Sequence, residues 1–100
     1  MTTTEAQKLV RQAARWVAKT YGKAWARRVK ITKLNLASPW ACILGQVAGS
    51  YLAAWQQHPE VVADGPFSVA FIPDEWKAGR NDVIEQAWRE EIRRQRAAAK

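Results

Sequence analysis

One hundred residues make one domain, long enough to remove roughly two-thirds of its unfolded surface from water and to hold a core without metal or disulfide help. A single cysteine, Cys42, excludes an internal disulfide framework, and with one histidine, His58, it cannot furnish the ligands of a zinc site, so no metal or other cofactor is expected. The net charge of +7 is uneven: nine Lys and Arg stand against Glu5 alone in residues 1–33, four acids and no base fall in 34–76, and seven bases face four acids in 77–100, which directs the search for an anionic partner to the N-terminal third.

The single cysteine predicts a protein of a reducing cytoplasm, and the first residues run straight into alternating basic and apolar positions without the apolar region of a signal peptide, so secretion is not expected. Thr4 followed by Gln7 fits a capping box, and a helix is expected to begin there. Along it Ala6, Leu9, Val10, Ala13, Ala14, Trp16, Val17, Thr20 and Tyr21 fall on one arc of about 160°, the stripe of a helix packed on a core. Lys8, Arg11, Arg15, Lys19 and, if the helix continues, Lys23 occupy the opposite face. Gly22 predicts an end or break nearby, with a longer helix through Trp25 as the alternative. From Arg27 to Leu36 no helical period is present and β-branched residues are frequent, so an extended connection, with room for a short strand, is expected.

No charge appears from Leu34 to Pro59. The polar residues and glycines within this run argue against a membrane span and for a buried helix. Ser38-Pro39 reads as its start, and His58-Pro59 as the stop after Gln56 or Gln57. Such a helix would carry a bulky stripe of Trp40, Ile43, Leu44, Val47, Tyr51 and Trp55 opposite a small face of Cys42, Gly45, Gln46, Gly49 and Ala53. The small face predicts close approach by another backbone, from within the chain or from a second copy in a homodimer. Val61-Val62 and residues 67–72 around Asp64-Gly65-Pro66 are compatible with a small β-hairpin in 61–72, although Pro66 removes a ladder donor. Asp82 with Glu85 predicts a second capping box and a last helix burying Val83, Ile84, Ala87, Trp88 and Ile92, with Glu85–Arg89 and Glu90–Arg94 as ion pairs. The fold expected is thus mainly α, a three-helix domain with a buried central helix spanning 1–100.

Cys42 and His58 would lie about 24 Å apart on one helix, too far for proton transfer. Neither a phosphate-binding glycine loop with its lysine nor a nucleophile elbow is present, so a non-enzymatic protein without a small-molecule substrate is expected. The basic face lacks interleaved acids, and Lys8, Arg11, Arg15, Lys19, Lys23, Arg27 and Arg28 form the expected contact set for nucleic-acid phosphates. The alternative partner is an acidic host protein. Of the six tryptophans, Trp25 and Trp76 are placed least by periodicity and are candidate interface anchors.

The run Cys42-Ile43-Leu44-Gly45-Gln46 with Gly49, preceded by Arg28-Val29, Leu34 and Leu36 and followed by Trp88 and Ile92-Arg93-Arg94, resembles a group of small proteins encoded by actinobacteriophages and actinobacteria. The similarity covers about residues 28–96. It implies a phage or bacterial cytoplasmic setting and nothing catalytic; beside nucleic-acid binding, the alternative function is a protein-interaction module, for example a phage accessory protein that inhibits or redirects a host factor. Lys30 and Lys33 stand where that group tends to be acidic, so a shared ligand is not implied.

Overall fold

The Thr2 hydroxyl accepts a hydrogen bond from the Glu5 N–H (3.1 Å), and the Glu5 carboxylate accepts one from the Thr2 N–H (3.2 Å). This capping box starts α1, Thr3–Tyr21, two residues before the expected Thr4–Gln7 box. Its reciprocal bonds hold the exposed Glu5 carboxyl below its usual range, the Thr2 side chain being the larger cause. Gln7 turns away and donates to Glu90 (3.0 Å). The computed structural model describes residues 2–36, 38, 40–71 and 82–98, and every regular element among them is helical.

Two long helices frame the molecule. α1 and α6 (Asp82–Ala98) pack on each other more extensively than any other pair of elements. Their seam sets Ala6, Val10, Ala13, Ala14 and Val17 of α1 against a helix that buries Ile84, Ala87, Trp88 and Ile92. The small α1 side chains allow the axes to come close, leaving room for Trp88. The Trp88 indole N–H donates to the Ala70 carbonyl (2.9 Å), and its ring lies 5.8 Å from Phe71 and 6.0 Å from Trp25. Phe71 in turn meets Trp16 (5.6 Å), which meets Tyr21 and His58, so edge-on rings run through the core to its surface.

Between the long helices lie α2 (Trp25–Arg28), a 3-10 turn (Ile31–Lys33), α3 (Ile43–Ala48), α4 (Tyr51–Gln57), α5 (Pro59–Val62) and a second 3-10 turn (Ser68–Ala70). α1 stops as expected at Gly22, whose φ of +100° excludes continuation of the helix. The connection from Arg27 to Leu36 is extended at Val29, Lys30 and Leu34 as expected, but Arg27 and Arg28 end α2, Ile31–Lys33 make a 3-10 turn and no strand forms, for a reason that lies in α6. Arg96 donates to the carbonyls of Ala26 and Val29, Arg89 to those of Ile31 (2.7 Å) and Leu34 (2.9 Å), and Glu85 accepts from the Leu36 N–H (3.2 Å). Residues 26–36 thus run antiparallel to α6 and receive from its side chains the partners that a neighbouring strand would otherwise give.

The single central helix is also corrected. Cys42 caps α3, its Sγ accepting from the Gly45 N–H (3.3 Å); Gly49 at φ +96° ends α3, and the Ser50 hydroxyl caps α4 through the Ala53 N–H (3.0 Å). A glycine in a left-handed conformation followed by a capping serine breaks the helical phase, so the expected bulky stripe does not persist across it. Trp40 and Trp55, expected inside, are 69% and 41% exposed. A Cβ at Gly49 would meet nothing within 4 Å, so the close backbone approach expected there is absent among the described residues. Gly49→Ala is therefore strained by its dihedral and not by crowding: a loss of about 1–2 kcal/mol is expected in denaturant melts, with Gly49→Asn losing less.

No hairpin forms in residues 61–71. Pro59 sits at the first position of α5, where its missing N–H leaves nothing unsatisfied, and the Val61 and Val62 N–H groups go to the His58 carbonyl (3.1 and 2.9 Å) instead of a ladder. Gly65 folds back on this turn so closely that a Cβ would lie 2.7 Å from the Val61 carbonyl oxygen. The last residue of the expected hairpin, Ile72, lies outside the described residues. Of the described helices none is long and apolar enough to cross a membrane.

Candidate nucleic-acid interface

At 100° per residue Lys8, Arg15 and Lys19 fall within about 40° of one another on α1, directly away from its buried stripe. All three are exposed, and the span from Lys8 to Lys19 is about 16 Å of helix axis. Lys23 follows beyond Gly22, again exposed. None of these four side chains forms an ion pair or hydrogen bond with a described residue. No carboxylate occurs in the chain between Glu5 and Glu60, so local sequence supplies no counter-charge. Lys19 also stands in the last turn of α1, where a cation suits the helix dipole.

The other members of the expected set divide. Arg11 lies on the flank of α1 that faces α6, 3.9 Å from Glu91, while its side chain stays 57% exposed. Glu91 is only 5% exposed, and Arg94 binds it with two nitrogens (2.6 and 3.2 Å) while Gln95 donates to it (2.8 Å). Those bonds push the Arg94 guanidinium pKa further up. Arg94 was expected on Glu90; the i,i+3 acid takes it instead, because Glu90 accepts from Gln7 and Gln86. A cleft of about 220 Å³ at this seam is lined by Gln7, Arg11, Ala87, Glu90, Glu91 and Arg94; its two carboxylates make it unsuited to a phosphate. Arg28 donates to the Tyr21 carbonyl and so caps α1. Arg27 is exposed and, with Lys23, Ala24, Ala26, Gln95 and Arg96, lines a second cavity of about 180 Å³.

Lys8, Arg15, Lys19 and Lys23 are thus available to solvent, Arg27 is exposed, Arg11 is shared with Glu91, and Arg28 is largely structural. Lys30 and Lys33 are exposed on the adjoining loop. Sequence reasoning missed Arg96 and Gln95, because both were read as ordinary C-terminal helix charge and polarity; nothing local signals that they meet the turn after α1.

Trp25 is corrected outright. It is 0% exposed and packs edge-on against Trp88, so it anchors the core and not a partner. Trp76, the other proposed anchor, lies outside the described residues. Among the described residues the exposed large apolar side chains are Trp40, Leu52, Trp55 and Val69, with Leu52 and Trp55 one turn apart on α4. Cys42 is buried, and burial raises its thiol pKa; His58 packs edge-on at 5.3 Å from Trp16, with its Nδ1 3.9 Å from Glu60. Each has partners that serve the fold, and neither forms a nucleophile–base pair.

Compared with known proteins, the chain matches no family model, no curated protein and no solved structure.

Proposed function

We propose that this protein is a small non-enzymatic binding protein of the bacterial cytoplasm, phage- or host-encoded, that engages nucleic-acid phosphates through the outer face of α1. One observation carries the reading: Lys8, Arg15 and Lys19 are exposed on one face of α1, with Lys23 exposed just beyond its end, and none has a carboxylate partner among the described residues. Repelling cations at i,i+4, such as Arg15 and Lys19, cost a few tenths of a kcal/mol, which an anionic polymer converts into attraction. The face offers lysines and arginine without a row of Asn or Gln, so its contacts are to phosphate and its sequence preference is slight.

Titration of a labelled duplex at several salt concentrations tests this. With three or four phosphates contacted, log K is expected to fall against log salt with a slope of about −3 to −4. A flat line, or no binding at low salt, overturns the reading.

The second reading is a protein-interaction module that inhibits or redirects a host factor, and the exposure of Trp40, Leu52 and Trp55 supports it, since exposed tryptophans are frequent interface anchors. Its signature is a stoichiometric protein recovered from nuclease-treated host lysate and lost on Trp55→Ala.

A further inference from the structure

Glu90 and Arg94 stand four residues apart on α6 with the acid first, the order that makes an ion pair on an isolated helix. Here that pair is not made. Glu90 accepts instead from two neutral amides, Gln7 (3.0 Å) and Gln86 (3.4 Å), and Arg94 gives its Nε and Nη2 to Glu91. Two opposite charges are thus kept apart along about 6 Å of helix axis, and both line the cleft of about 220 Å³ between α1 and α6.

Each end of the cleft keeps unused bonding capacity. A carboxylate offers about four lone-pair sites, of which Glu90 uses two, and no cation pairs with it among the described residues. Arg94 retains both Nη1 protons, and its fork on Glu91 already fixes the guanidinium, so little rotamer freedom is lost in presenting them. Beside it Arg11 lies 3.9 Å from Glu91, too far for a hydrogen bond, and donates to no described residue. Glu91 is buried and occupied by Arg94 and Gln95, which makes it the anchor of the cationic end and not a ligand.

Two acids and two bases leave the cleft without net charge, so neither a phosphate nor a simple cation satisfies it. A molecule carrying both charges does. In an α-amino acid the ammonium and the carboxylate share one carbon, and a charge-assisted bond of about 2.8 Å at each end lets them bridge the offset between Glu90 and Arg94. A peptide carries the same groups at opposite ends, too far apart. The volume is below the roughly 300–1,000 Å³ of sites for drug-sized ligands, and Ala87 is the apolar residue of the lining, which suits a short side chain.

We propose that this cleft binds a free α-amino acid with a small side chain, its ammonium on Glu90 and its carboxylate on Arg11 and Arg94. The site is independent of the phosphate-contact reading, which uses Lys8, Arg15, Lys19 and Lys23.

Titration of the full chain with L-alanine tests it, followed by the backbone amide signals of Gln7, Glu90 and Arg94 and the Nε–H signals of Arg11 and Arg94. Saturable shifts are expected, with a Kd of about 1 mM. N-acetylalanine, which lacks the ammonium, and alaninamide, which lacks the carboxylate, should each bind at least about tenfold more weakly. Glu90 is exposed, so Glu90→Gln removes the charge without altering the core, and affinity for L-alanine should fall at least about tenfold. Arg11→Gln, also at an exposed position, is the second variant should Glu90→Gln melt early, with the same loss expected. Shifts that do not saturate overturn the proposal. So does equal binding of N-acetylalanine or alaninamide, or wild-type affinity in either folded variant.

Discussion

Replacing Arg89 by methionine is expected to lower stability by about 3–5 kcal/mol, a drop in Tm of more than about 12 °C for a chain of this size. Methionine keeps the apolar stem but removes both hydrogen bonds to the carbonyls of Ile31 and Leu34, each bond to a charged donor contributing about 1.5 kcal/mol or more. It also takes away the arginine 3.8 Å from the buried Glu85 carboxylate, and loss of a cation beside a buried carboxylate adds to the cost. Lysine is not equivalent, because one ammonium cannot present the planar fork that spans two carbonyls; Arg89→Lys should recover less than half the loss. Arg93→Met, on an exposed position of the same helix, should stay within about 0.5 kcal/mol. A similar small effect at Arg89 would mean that residues 26–36 are not held by α6.

Trp88→Ala should cost about 3–5 kcal/mol, and Trp88→Phe about 2 kcal/mol. The alanine variant empties the junction of Trp25, Phe71 and α1, leaving a cavity that the two framing helices cannot both close. Phenylalanine fills most of that space but leaves the Ala70 carbonyl without its indole donor. Near-UV circular dichroism distinguishes the two: the alanine variant should lose most of the coupled aromatic signal and the phenylalanine variant only part. Equal stabilities for both variants would place Trp88 outside the core.

The long helices could be read from the sequence because each sustains an apolar stripe over several turns, and α1 also announces its end at Gly22. Helical class follows from those two elements. The interior of the charge-free run could not be read in the same way. Its composition fits one buried helix, whereas Gly49-Ser50 sets a helix stop beside a helix cap, which takes Trp55 out of the phase of the α3 stripe, and α3 begins only after Cys42, which leaves Trp40 outside any helix. The dipeptide itself was the available signal. The roles of Arg89 and Arg96 were not legible, since both depend on carbonyls about 55–70 positions away along the chain. Of the candidate site, the outer face of α1 was legible, because helical phase alone separates Lys8, Arg15 and Lys19 from the core. What phase could not show is that Arg11 turns to a carboxylate of another helix, or that Arg28 caps the helix before it.

The central claim is that the outer face of α1 binds a phosphate polymer, and the affinity of a labelled duplex for the double variant Lys8→Glu/Arg15→Glu at about 50 mM salt tests it most directly. Both positions are exposed and form no ion pair with a described residue, so the variant should retain the helical spectrum and melt within a few degrees of the wild type. The expected result is a loss of affinity of about a hundredfold or more, since two attractive contacts become repulsive. Undiminished binding by the folded double variant would contradict the claim.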